Sequence, residues 1–132
     1  MIRAVLADAG PLYAAVDPDD ARHQQALREL RQLDGEHRHV VVAYPTLLEA
    51  YSLVLFRLGR KTASNWLADI AGASLMNPTP EDYRLAGARL RSLPDQSITL
   101  FDATLAVFAA RLGIDVWTYD HHFDVMRIGV WR

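Results

Sequence analysis

The 132-residue chain has no cysteine, and lysine is nearly missing: of 14 basic residues only Lys61 is a lysine. The first absence removes disulfide frameworks, thiolate nucleophiles and sulfur-based zinc sites, and it suits a reducing compartment. Any metal must therefore be held by oxygen or imidazole ligands. Neither sign of charge dominates either, with 14 basic against 16 acidic residues and a net charge of -2, so there is no overall attraction to nucleic acid or to an anionic membrane, and any RNA contact needs a local patch. Long hydrophobic runs are missing too. The opening "MIRAVLADAG" is too short an apolar run for a signal peptide and nothing approaches a membrane span, so a soluble, cytoplasmic protein without a membrane partner is expected. No repeat, low-complexity segment or linker interrupts the chain. With 51% hydrophobic residues, it has material for one ordinary core, hence a single domain over residues 1–132.

What is present alternates between short apolar runs and amphipathic stretches. Strands are predicted at Ile2 to Asp8, His39 to Tyr44, Ala73 to Pro78, Ile114 to Asp120 and "IGVW" near the end. Helices are predicted from about Asp19 to Leu33 with Gly35 as the stop, from Pro45 to Gly59, from Lys61 to Ala71, from the capping signature at Thr79 to Leu93, and from Phe101 to Leu112 with Gly113 as the stop. "PDQSITL" reads as a loop and "HHFDVM" as a turn. Continuous apolar strands alternating with helices predict an α/β fold, three layers deep, around a mostly parallel sheet of about five strands.

In such a sheet, ligands gather beyond the carboxyl ends of the strands. Asp8 and Asp120 end their predicted strands, Glu49 lies about one turn into its helix, and Asp102 lies in the first turn of the helix feeding the Asp120 strand. All four are placed at one sheet edge. Glu49 is the odd one, because "PTLLEAYSLVLF" is apolar on nearly every side, which predicts a largely buried helix, and a buried unpaired carboxylate is expensive. Converging carboxylates repel, and the natural neutraliser is a hard cation, magnesium or manganese. One or two such ions suit in-line phosphodiester cleavage. Each acid also has a plain structural role: Asp8 and Asp102 can serve their helix N-termini, Asp120 can form an Asx-turn, and Glu49 can be solvated.

"VLADAGPLYA", "PTLLEAYSLV", "DQSITLFDATLAVFAARLGI" and "VWTYDHHFDVM" resemble, in order and across nearly the whole chain, the four acidic motifs of PIN-domain ribonucleases, in particular the VapC-type toxins of toxin–antitoxin pairs. The resemblance implies a PIN-like domain, magnesium or manganese on Asp8, Glu49, Asp102 and Asp120, a hydroxyl at Thr118 ordering the site, an RNA substrate, a homodimer, and an antitoxin whose C-terminal segment lies over the acids. Gly10 departs from the serine or threonine many members carry there. His121 and His122 read as turn residues able to reach phosphate or metal, and Asp124 as a surface charge.

Arg84 with Arg91, and Arg57 with Arg60 and Lys61, are candidate RNA patches or solvated faces; Trp66, Trp117 and Trp131 read as packing. The apolar excess of the Glu49 helix suggests a partner surface. A response-regulator receiver would need a paired acid after the first strand and a late lysine, and an aspartyl-phosphate phosphatase a second acid at Gly10; both fail. A PIN-like scaffold that binds RNA or protein without cutting is the remaining alternative.

Overall fold

The computed structural model describes residues 3–94 and 96–132. Ile2, at the predicted start of the first strand, and Asp95, in the predicted loop, lie outside the described residues. In chain order the elements are β1 (Ala4–Ala7), α1 (Ala9–Ala14), α2 (His23–Gly35), β2 (His39–Ala43), α3 (Tyr44–Leu58), α4 (Arg60–Ile70), β3 (Ser74–Met76), α5 (Pro80–Arg91), α6 (Leu100–Leu112), β4 (Asp115–Trp117) and α7 (His122–Val125). The sheet order is β3-β2-β1-β4, with every strand pair parallel. Pairing runs outward from β1 in both directions, so the switch point falls between β1 and β4.

The period of two in the strands divides the core. Val5, Ala7 and Val42 point into one cluster with Leu47, Ala50, Val54, Ala63 and Trp66 from α3 and α4. Leu6, Val41, Ala43 and Val116 point into the other, with Ala86, Leu105, Phe108 and Phe123 from α5, α6 and α7. Helices cover both faces, which is why the strands read as unbroken apolar runs.

Four differences from the sequence reading have physical causes. The predicted fifth strand is reduced to a parallel bridge between Val116 and Val130, so the sheet has four strands and a one-residue extension. "HHFDVM" contains a short helix, α7. Gly35 is the last residue of α2, and the left-handed turn after it falls on His37, with φ of 56°. Finally, α3 is only half buried: Leu47, Ala50 and Val54 face the sheet, while Leu48 and Phe56 are 65% and 84% exposed. Of the longer helices the most enclosed is α6, with Ala103, Leu105, Ala106, Phe108 and Ala109 all buried.

Two helix termini are as predicted. Gly113 adopts the left-handed conformation that closes α6, at φ of 68°. Thr79 caps α5 by a reciprocal box with Asp82. The carboxylate of Asp82 is buried, and Arg111 of α6 meets it with Nε and Nη2 at 2.9 and 2.8 Å. That pair pins α5 to α6, and the guanidinium holds Asp82 below the usual carboxylate range. None of the described helices is long and apolar enough to cross a membrane.

Candidate functional site

At the carboxyl edge of the sheet, above the switch point, an open cleft of about 500 Å³ is lined by Asp8, Glu49, Asp102 and Asp120 together. Each arrives by a different local rule. Asp8 follows β1 and caps α1, its Oδ1 accepting from the Ala9 amide at 2.8 Å. Asp102 is the third residue of α6 and closes a second capping box with Thr99. Asp120 lies three residues past the end of β4 rather than on it, and its Oδ1 accepts from the His122 amide at 2.9 Å, the Asx-turn geometry. Glu49, in the second turn of α3, is half buried and makes no hydrogen bond or ion pair to any described residue. Three of the four acids thus do a plain structural job while also facing one another.

Thr118 ties two of them. Its buried hydroxyl donates to Asp8 Oδ2 at 2.8 Å and accepts from the Asp120 amide at 2.9 Å. Since the Asp8 amide also donates to the Trp117 carbonyl, the ends of β1 and β4 are locked side by side. The carboxylate oxygens of Asp8 are fixed by groups that leave the cleft side open.

No arginine or lysine is among the residues lining this cleft. The electrostatic consequence is large. Burial pushes the Asp8 carboxyl up to about 6, against the hydrogen bonds from Thr118 and Ala9 that favour its charged form, with Asp102 and Asp120 adding repulsion. Burial pushes Glu49 up to about 7, again with repulsion from Asp8 and Asp102. The chemistry of this donor set, oxygen only and short of positive charge, fits a hard divalent cation.

The histidines beside Asp120 are unlike one another. His121 is exposed, whereas His122 is largely buried with its Nδ1 only 2.9 Å from Asp120 Oδ1 but out of hydrogen-bonding alignment. One ligand atom from each of Asp120, His121 and His122 falls within a 4.8 Å group. Asp124 is exposed and paired with Arg132. Gly10 borders the cleft, and a Cβ there would meet Tyr119 at 3.9 Å, ordinary contact, so the missing hydroxyl leaves open space rather than a distortion.

The basic patches considered from sequence lie elsewhere. Arg84 is ion-paired with Glu81 on the surface of α5, Arg57 sits over the Tyr13 ring, and neither borders the cleft. Trp66, Trp117 and Trp131 are all buried. Sequence reasoning missed Tyr119, whose ring forms a wall of the cleft, and Arg22 behind it; the short β4 disguised the first, and distance along the chain the second.

A PIN-domain family model matches residues 5–128. The chain belongs to the PIN-domain family. Its fold is shared with solved structures of low sequence identity. VapC20 of Mycobacterium tuberculosis, described as a sarcin–ricin loop cleaving toxin, superposes with a TM-score of 0.85 at 20% identity over 97% of this chain and 98% of that one. VapBC2 of Rickettsia felis, bound to a DNA fragment from their promoter, gives 0.75 at 11% identity over 98% and 97%. FitAcB of Neisseria gonorrhoeae gives 0.70 at 19% identity over 97% and 96%. No curated protein sequence matches the chain.

Proposed function

We propose that this PIN domain is a magnesium- or manganese-dependent endoribonuclease acting as the toxin of a VapC-type toxin–antitoxin pair. The observation that carries the reading is the convergence of Asp8, Glu49, Asp102 and Asp120 on one cleft without a lysine or arginine to neutralise them. The likeness of fold to VapC20, described as a sarcin–ricin loop cleaving toxin, supports it. The four carboxylates are the groups that would hold the cation. When bound, it would supply positive charge for the phosphodiester oxygens and lower the pKa of water for attack on phosphorus.

The chain's own residues do the rest. Thr118 and the Ala9 amide fix the rotamer of Asp8, and the capping box fixes that of Asp102, so two ligand positions are set before anything binds. Glu49 has no donor among the described residues to fix it and sits on a half-buried helix face, where burial and the Asp8 and Asp102 charges push its carboxyl up to about 7, so that arriving positive charge would favour its ionised form. Hydrolysis then adds water across one P–O bond, leaving a phosphate end and a hydroxyl end, with no nucleophilic side chain involved.

The exposed apolar stripe of α3, Leu48 and Phe56, supports the further reading that the protein works with partners, a second copy of itself and an antitoxin. The site is located in the cytoplasm in this reading, where its RNA is.

The test is incubation of the purified chain, freed of co-purifying protein, with total RNA in magnesium, manganese or EDTA, beside Asp8→Asn and Asp102→Asn variants. Defined fragments that require metal, and fall to background in both variants, are expected. Silence of the folded wild type with RNA still bound would favour a non-cutting PIN scaffold instead.

A further inference from the structure

The proposed substrate is a polyanion, yet among the described residues the acid cleft offers it no arginine or lysine. A second cavity, of about 430 Å³, adjoins the first and shares Tyr119, Asp120 and His121 with it. Its volume falls within the range of about 300–1,000 Å³ usual for small-molecule sites. Two arginines line it, and they differ. Arg132 is ion-paired with Asp124 at 3.0 Å. Arg22 has no carboxylate oxygen within ion-pair distance among the described residues; its guanidinium lies over the Tyr119 ring, 4.8 Å from the centroid. The carboxylate of Glu29 on the same wall is already engaged by Trp117 Nε1 at 3.2 Å and by the Tyr119 hydroxyl.

Tyr119 is therefore held from below by Glu29 and presents its ring to Arg22 above. The ring contact steadies the guanidinium, whose N–H groups make only one long side-chain hydrogen bond among the described residues, from Nη1 to Gln25 Oε1 at 3.5 Å, and this neutral partner leaves the positive charge available to grip a phosphate. Resting on the ribonuclease reading, we propose that this second cavity is the subsite for the nucleotide next to the cleaved bond, with Arg22 binding the flanking phosphate of single-stranded RNA and Tyr119 positioning Arg22. Arg132, neutralised by Asp124, contributes little. The acid cleft does the cutting and the Arg22 cavity holds the strand across it.

The experiment has two arms. In the first, a labelled single-stranded RNA oligonucleotide is titrated against Asp8→Asn protein with and without Arg22→Gln, and separately with Arg132→Gln, across a salt series. Arg22→Gln is expected to weaken binding about tenfold at low salt and to lower the salt slope by about one, while Arg132→Gln changes neither. In the second arm, Arg22→Gln in the otherwise native chain raises KM for the oligonucleotide but leaves hydrolysis of bis(p-nitrophenyl) phosphate, which has no flanking nucleotide, unchanged. Equal RNA binding by the Arg22 variant and its parent, no RNA binding by either, or equal losses from Arg22→Gln and Arg132→Gln would overturn the subsite. Failure of the native chain to hydrolyse either substrate would instead count against the ribonuclease reading, with the binding arm still deciding Arg22. Unchanged circular dichroism and melting temperature of the variants separate either outcome from misfolding.

Discussion

The N-termini of α5 and α6 are built alike: Thr79 and Asp82 close one capping box, Thr99 and Asp102 the other. Their surroundings are opposite. Asp82 is buried against Arg111, which favours its charge, whereas Asp102 faces Asp8, Glu49 and Asp120 across a cleft without a basic side chain other than His121. The same local motif thus serves stability in one place and leaves an unbalanced negative field in the other. What distinguishes a structural acid from a candidate ligand is the partner supplied by the fold, and that partner is invisible in the motif.

The comparison is most strongly tested by removing the partner where one exists. Arg111→Gln strands the buried Asp82 carboxylate and should cost about 2 kcal/mol, less than a fully enclosed pair because Arg111 is itself half exposed, read as a lower urea midpoint with unchanged m. At the other site the sign reverses. Glu49→Gln removes a carboxylate that gains nothing from its neighbours and should stabilise the metal-free protein by about 1 kcal/mol while weakening any divalent-cation binding; a loss of stability would contradict the reading of the cleft.

A pH series sharpens the contrast further. Because burial raises Asp8 from its ordinary value to about 6, the folded chain binds that proton more tightly than the unfolded chain, so this contribution is complete at low pH and is lost as pH rises through about 6. Glu49 behaves likewise up to about 7. Asp82, held below its ordinary value, contributes in the opposite sense: its stabilisation is present above the unfolded carboxylate pKa and is lost as pH falls through the folded one. Metal-free melting temperatures should therefore peak in mildly acidic solution, and magnesium or manganese should lift the neutral side selectively. The smallest effect belongs to the exposed stripe of α3: Phe56→Ser should shift monomer stability by less than about 0.5 kcal/mol, with any larger consequence appearing only in association measured by light scattering.

Much of this was legible from the chain. Unbroken apolar runs such as Val40 to Ala43 gave away a doubly covered parallel sheet, and Gly59 and Gly113 marked helix ends because each needs a positive φ. The grouping of Asp8, Glu49, Asp102 and Asp120 at one edge follows from strand direction and chain order. The degree of burial of α3 is not legible from composition, which counts apolar residues without saying that Leu48 and Phe56 sit on the face turned from the sheet. The Asp82–Arg111 pair was hidden for a different reason, as nothing local links a capping acid to an arginine at the far end of the next helix. Arg22 was hidden in the same way: its importance arises only when Tyr119 is folded beneath it.

In the ribonuclease reading the acid cleft, which no arginine or lysine among the described residues lines, is the place a divalent cation would occupy. Calorimetric titration of manganese into the metal-free chain near neutral pH, in buffers of differing ionisation enthalpy, tests it directly. Saturable binding with release of protons, weakened by Asp8→Asn and by Asp102→Asn but not by Asp124→Asn, is the predicted result. Binding without proton release, or binding that survives both cleft substitutions intact, would contradict it.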